Sequence, residues 1–282
     1  MLNKVLYIKF DESLNIVNMK LNLSIIQTDL SWEDKSKNLN HFSRKISELP
    51  TSAEIAILPE MFSTGFSMHP ENLAETIEGP SVQWMKKTAK KYDIILSGSL
   101  IIEEGKKYYN RSITVFPDER LYTYDKRHLF RMGEENEHYS GGNKRMIFNY
   151  NNWRIFPLIC YDLRFPVWSR NRDDYDLLFY VANWPESRRH VWKSLLVARA
   201  LENQVYVVGV NRIGKDGQDL TYSGDSMVID PKGKIISTTE PYLESSETVT
   251  LSLSELNRFR EKFPVGKDAD DFELKNYKDA YY

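Results

Sequence analysis

Residues 154–166 read RIFPLICYDLRFP. An apolar run from Ile155 to Ile159 stops at Cys160, and the polar residues Tyr161, Asp162 and Arg164 follow at once. A short continuous apolar run of this kind reads as a strand buried on both faces. Downstream, Asp176–Ala182 (DLLFYVA) and Val205–Asn211 (VYVVGVN) read the same way, and the basic-apolar stretch Arg188–Gln204 between them reads as a helix. Upstream, Leu21–Gln27, Ile55–Leu58 and Ile94–Leu100 are further strands. Ser31 is placed to cap a helix in which Leu39, Phe42, Ile46 and Leu49 recur at helical spacing, and Ser81–Tyr92 carries Val82, Met85 and Ala89 on one helical face. Arg111–Phe116 and Leu121–Tyr124 flank Pro117-Asp118-Glu119, a hairpin signal, and Met227–Asp230 and Lys234–Thr238 flank Pro231-Lys232-Gly233 in the same manner. Ser252 and Glu255 have the spacing of a capping box that opens a helix through Phe263. Helix-connected strands mixed with hairpins predict an α/β protein of mixed sheets with outer helices.

The bulk properties narrow the function. The chain has 282 residues, 41% of them hydrophobic, enough for one large core. With 38 Lys and Arg against 40 Asp and Glu, the net charge of −2 gives no electrostatic footprint for nucleic acid or an anionic membrane. No long uncharged apolar run is present to span a bilayer. One cysteine cannot form an internal disulfide, which fits a reducing cytoplasm. The first residues lack the apolar stretch and cleavage site of a secretory signal. Residues 1–18 read as a dispensable extension with Met19 as a candidate start, residues 19–272 as one domain, and residues 273–282 as a Tyr/Lys/Asp-rich tail.

Three reactive residues follow strands: Glu60 after AEIAIL, Lys126 after LYTYD and Cys160 after RIFPLI. In open α/β sheets the ligand crevice forms outside the carboxyl ends of strands. Taken singly, each has a bland reading: a Glu or Lys after a strand is usually solvated, and a lone Cys there is usually inert core. The flanks change that weighting. Glu60 lies in LPEMFSTGF, among apolar and aromatic neighbours that would strip a carboxylate of water, as a general base requires. Lys126 lies in YDKRHLF, and an ammonium beside a thiol favours the thiolate. Cys160 sits where a strand stops abruptly, a turn whose backbone N–H groups can face a carbonyl under attack.

The segments LPEMFSTGF, YDKRHLF and LICYDLRFP resemble the three signatures of the nitrilase, or carbon–nitrogen hydrolase, superfamily, and CYDLRFPVWSRN, YVANWP and ARALENQ are similar to its bacterial omega-amidase branch. The resemblance implies an α-β-β-α sandwich, two sheets between helical layers, in a homodimer or higher homo-oligomer. It implies Cys160 as nucleophile, Glu60 as general base and Lys126 as stabiliser of the tetrahedral intermediate, with the Tyr161 backbone N–H sharing the oxyanion. A second glutamate within Glu-x-x-x-(Tyr/Phe)-x-x-Gly is matched by Glu135, Tyr139 and Gly142, beside Glu134 and Glu137 in the same acidic loop. Phe66, Asn183 and Trp184 are implied as pocket walls. The implied reaction converts short dicarboxylate monoamides such as 2-oxoglutaramate and 2-oxosuccinamate to the acid and ammonia through a thioester, without cofactor or metal. The five histidines show no metal-ligand spacing, and a single cysteine cannot build a thiolate cluster. A distal carboxylate calls for a cation: Arg164 is the first candidate, Arg127 and Arg131 the others. Hydrolysis of a nitrile, an N-carbamoyl amine or another amide, a catalytically silent binding module, and a Cys–His hydrolase using His128 are the rival readings.

Overall fold

The computed structural model of the chain describes residues 19–275 and the backbone of residues 278–281. The segment 1–18 read as an extension lies outside the described residues. Strands β1 (Lys20–Gln27), β2 (Ile55–Ile57), β3 (Ile95–Glu104), β4 (Lys107–Val115) and β5 (Leu121–Asp125) join a late strand in one sheet. Strands β6 (Lys144–Tyr150), β7 (Trp153–Ile159), β8 (Leu177–Ala182) and β9 (Tyr206–Asn211) form the body of the other. A short hairpin follows, β10 (Ile213–Lys215) with β11 (Thr221–Ser223), and then β12 (Met227–Ile229), β13 (Ser245–Ser252) and β14 (Lys278–Tyr281). The sheet orders are β13-β1-β2-β3-β4-β5 and β12-β9-β8-β7-β6-β14. Each is mixed: β1, β2 and β3 run parallel, as do β7, β8 and β9, while the flanking strands are mainly antiparallel.

Period-2 alternation sorts the β1 and β2 side chains between two cores. Leu21, Leu23, Ile25, Ile55 and Ile57 face the other sheet and share one cluster with Leu178, Val181 and Val208. Ile26, Ala56 and Leu58 face outward, under Phe42 and Ile46 of helix α1 (Lys35–Ser47) and Val82, Met85 and Ala89 of helix α2 (Pro80–Tyr92). Helix α3 (Arg189–Asn203) covers the second sheet through Trp192, Leu196 and Ala200. It comes so close to β9 that a Cβ on Gly209 would lie 2.4 Å from Leu196 and 2.6 Å from Trp192. Helix, sheet, sheet, helix is the layering, an α-β-β-α sandwich.

Several boundaries differ from the sequence reading. The cap of α1 is Asp34, whose carboxylate accepts from the Lys37 N–H at 3.0 Å, whereas the Ser31 N–H donates to the Asn38 side chain seven residues on. Pro231-Lys232-Gly233 does make a turn, but its second arm pairs with β12 only at a single Ile229–Ile235 bridge. Ser252 caps helix α4 (Leu253–Lys262) from its hydroxyl to the Glu255 N–H at 3.3 Å, one half of a capping box. Strands β6 and β13, and the β3–β4 hairpin turning at Gly105-Lys106, escaped a reading that looked for unbroken apolar runs. Part of the tail, Lys278–Tyr281, adds a parallel edge strand beside β6.

Candidate active site

Glu60, Lys126, Cys160 and Asn183 leave the ends of β2, β5, β7 and β8, and the parallel cores of the two sheets bring those ends together. Lys126 continues the β4–β5 ladder by one bond, its N–H donating to the Asn110 carbonyl at 3.0 Å, so the side chain enters beside Asn110. The Lys126 Nζ donates to Glu60 Oε1 at 2.8 Å and lies 2.9 Å from the Glu135 carboxylate. All three side chains are buried. Asn110 Nδ2 spans the same two carboxylates, at 2.7 Å from Glu60 Oε1 and 3.1 Å from Glu135 Oε1. The Asn110 amide is oriented in turn by Ser99, whose hydroxyl donates to Asn110 Oδ1 at 2.8 Å. The other Glu60 oxygen accepts the Asn183 N–H at 2.8 Å, and the other Glu135 oxygen accepts the Phe130 N–H at 2.6 Å. Two carboxylates, one ammonium and one amide thus form a network whose acceptors are satisfied by protein donors.

Cys160 occupies the turn out of β7 at φ 42°, the left-handed region that costs a non-glycine residue on the order of 1–3 kcal/mol. The strain is held in place by Asp162. Its buried carboxylate accepts the Ile159 N–H at 3.1 Å and the Tyr124 hydroxyl at 2.8 Å on one oxygen, and the His128 N–H and Nδ1 at 3.0 and 2.8 Å on the other. Tyr124 and His128 flank Lys126, so a single carboxylate ties the cysteine turn to the lysine loop. His128 also stacks flat on Phe165 at 3.8 Å, a structural placement rather than that of a partner to the thiol. Gly142 closes the loop from behind. Its N–H donates to the Lys126 carbonyl at 2.9 Å, and a Cβ there would lie 2.3 Å from the Asp125 carbonyl oxygen. Tyr139 anchors the same segment, its hydroxyl donating to the Ser67 carbonyl at 2.6 Å. The Glu-x-x-x-Tyr-x-x-Gly spacing therefore has a mechanical meaning: a buried carboxylate, a tether, and a residue small enough to back the lysine.

A cavity opens onto this cluster, lined by Lys126, Cys160, Tyr161, Phe66, Arg164, Asn183 and Trp184. Glu60 and Glu135 lie behind that lining. Arg127 and Arg131 do not reach it; the Arg127 guanidinium donates to the Gly142 carbonyl and lies over Trp168, and Arg131 is exposed. A larger groove beside Arg170, Glu202 and Lys267 holds none of these reactive residues.

The carbon–nitrogen hydrolase family model matches residues 22–261. The chain belongs to the carbon–nitrogen hydrolase family. It is 46% identical over 255 residues to the omega-amidase YafV of Escherichia coli K12, covering 90% of this chain and 98% of the relative. It is 34% identical over 257 residues to the 2-oxoglutaramate amidase of Bacillus subtilis 168, covering 89% and 98%. Among solved structures, XC1258 of Xanthomonas campestris, a CN-hydrolase superfamily protein with an arsenic adduct in its active site, superposes with a TM-score of 0.88 at 40% identity over 90% of this chain and 99% of that one.

In this carbon–nitrogen hydrolase the electrostatics correct one expectation from sequence. The thiol of Cys160 is not poised as a thiolate: burial, the Glu60 charge and the Glu135 charge together outweigh the attraction of Lys126 and push its pKa well above the ordinary thiol range. Burial also raises Glu135, against the pull of Lys126. Lys126 pays a large desolvation penalty, yet Glu135, Glu60 and Cys160 together raise it above the usual lysine value, so it stays charged. A thiol held protonated in this way would need a base beside it to act as a nucleophile, and the Glu60 carboxylate is the neighbouring acceptor. Several participants were missed from sequence. Asn110 carries no motif, because its place depends on the β4–β5 pairing. Arg188 and Phe130 line the cavity from two separate loops, and the β10–β11 hairpin supplies Asp216, Gln218 and Tyr222. Among the described residues no helix is long and apolar enough to cross a membrane.

Proposed function

We propose that this hydrolase cleaves the terminal amide of short dicarboxylate monoamides, 2-oxoglutaramate and 2-oxosuccinamate, to the acid and ammonia. The observation that carries the reading is Arg164, which lines the Cys160 cavity with its guanidinium 5.2 Å over the Trp184 ring and, among the described residues, no acidic partner. A half-buried cation without an acidic partner among the described residues, in the same cavity as the Cys160 thiol, suits a substrate that brings its own carboxylate. The similarity to the Escherichia coli omega-amidase and the Bacillus subtilis 2-oxoglutaramate amidase supports this class.

The chemistry runs in two halves. Glu60 accepts the Cys160 proton as the sulfur bonds to the amide carbon, and the carbonyl electron pair moves to oxygen, which faces Lys126 and the Tyr161 backbone N–H. Collapse of this intermediate expels ammonia, which takes the proton from Glu60, and leaves a thioester. Water then gives a proton to Glu60 and attacks the thioester, and the sulfur leaves with that proton restored. The balance is one amide and one water in, one acid and one ammonia out. Glu135 holds Lys126 and Asn110 in place from behind. Phe66, Asn183 and Trp184 shape the acyl site. The free, buried thiol supports a cytoplasmic setting, and exposed Val167 and Leu201 support a homodimer or higher homo-oligomer.

The test compares glutaramate with its methyl ester by ammonia release. A charge-assisted contact is worth roughly 1.5–3 kcal/mol, so the acid should win by about 10- to 150-fold in kcat/KM. A ratio near one, or faster turnover of nitriles or N-carbamoyl amines, would replace this reading with another member of the family's chemistry. Cys160→Ala should fold and release no ammonia from any of them.

A further inference from the structure

Arg188 lines the same cavity as Arg164 and Cys160. It comes from the loop between β8 and α3, one turn after Trp184. Its guanidinium lies 5.3 Å over the Phe130 ring, and among the described residues it too has no acidic partner and no hydrogen-bond acceptor. Trp184 connects the two arginines. Its ring lies under the Arg164 guanidinium, and its indole N–H donates to the Arg188 carbonyl at 2.9 Å. Phe130 connects Arg188 back to the catalytic cluster through the N–H it gives Glu135.

The other charged groups of the lining, Lys126 and Asp216, already have hydrogen-bond partners, those of Asp216 being neutral donors. Lys126 is held between Glu60 and Glu135. Asp216, at the rim, accepts the Gln218 and Leu220 N–H groups at 2.8 and 3.0 Å and the Tyr222 hydroxyl at 2.7 Å. What remains is two guanidiniums, each resting on an aromatic face with its N–H donors unused. A planar guanidinium stacked on an aromatic ring keeps its donor edge free for a carboxylate.

We propose that Arg188 acts with Arg164 as a two-cation clamp on the acid end of the substrate, and that this clamp selects monoamides without an α-ammonium over the matching amino acids. The proposal rests on the dicarboxylate-monoamide reading and deepens it. A 2-oxo or unsubstituted acid presents only acceptors to the two guanidiniums. Glutamine or asparagine presents a carboxylate with an ammonium on the neighbouring carbon, and that ammonium would stand beside two guanidiniums that have no acidic partner among the described residues. In a partly dry site such like-charge crowding is poorly screened. One arginine would suffice to bind a carboxylate. The second is what makes the end of the pocket hostile to a zwitterion.

Two measurements test the clamp. The first is ammonia release from glutaramate and from glutamine by the full chain and by Arg188→Met and Arg188→Lys, each checked for an unchanged thermal transition. The unaltered enzyme should favour glutaramate by at least about tenfold. Arg188→Met should lower kcat/KM for glutaramate by about 10- to 100-fold, mainly through KM, and glutamine by much less, so the preference contracts. Arg188→Lys should recover part of it. The second is calorimetric binding of glutarate, which needs no turnover: Arg188→Met should weaken it at least about tenfold. Equal glutarate affinity in the two proteins, or an unchanged glutaramate-to-glutamine ratio, overturns the clamp. Glutarate binding that depends on Arg188 in a protein that hydrolyses no acidic monoamide would instead sink the amidase reading and leave the clamp standing.

Discussion

The Lys126 ammonium and the Glu60 carboxylate, 66 residues apart in the chain, meet at 2.8 Å with both side chains buried. Lys126 is the one cation against two carboxylates there, so its removal has consequences for folding as well as for chemistry.

Lys126→Met should therefore fail twice. Breaking a buried pair from one side costs about 3–5 kcal/mol, and losing one positioned oxyanion donor costs about 100- to 1,000-fold in kcat. Chemical denaturation and single-turnover ammonia release separate the two. A stable variant with less than about a tenfold loss of turnover would make the lysine structural only.

Glu60→Gln removes one of the two charges that hold the Cys160 proton. The thiol pKa should fall, and the pH at which iodoacetamide alkylation reaches its plateau should move down while turnover collapses. An inflection that stays or rises refutes this account of the thiol. The sign also reaches stability. The folded chain keeps a thiol proton that the unfolded chain releases near pH ~8.5, so stability should decline as pH rises beyond about 8.5. Cys160→Ala should flatten that decline.

Gly142→Ala places a Cβ against the Asp125 backbone. Neither side of that contact is a flexible side-chain tip, so the strand end or the lysine loop must shift. Overpacking of this kind costs about 1–3 kcal/mol. Because the Gly142 N–H also supports the Lys126 carbonyl, kcat should drop by more than the change in melting temperature explains. Full activity in a destabilised variant would show that the loop tolerates displacement.

Deleting residues 1–18 should leave melting temperature and turnover nearly unchanged, since the family match begins at residue 22 and β1 begins at Lys20. A chain starting at Met19 that aggregates on expression would contradict that expectation.

The sequence by itself determined the apolar strands and the amphipathic helices, and it singled out Glu60, Lys126 and Cys160 as strand-end positions. Strand interiors such as Ile155–Ile159 and Tyr206–Asn211 are apolar because both faces are covered, and a run of that kind ends visibly where a functional residue leaves the sheet. Helix faces were legible for the same reason, from Phe42 and Ile46 to Val82, Met85 and Ala89. Only the tertiary structure decided what surrounds those positions. Asn110 enters the site because β4 pairs with β5 in one register, and Asp162 matters because the two sheets set Ile159 beside Tyr124 and His128. Arg188 gains its meaning from a cavity wall it shares with residues far off in sequence. The protonated state of Cys160 is likewise a sum of burial and three charges arriving from separate loops. Periodicity records what one segment buries. It holds no record of which other segment lies opposite, and pairing, charge balance and proton affinity depend on that.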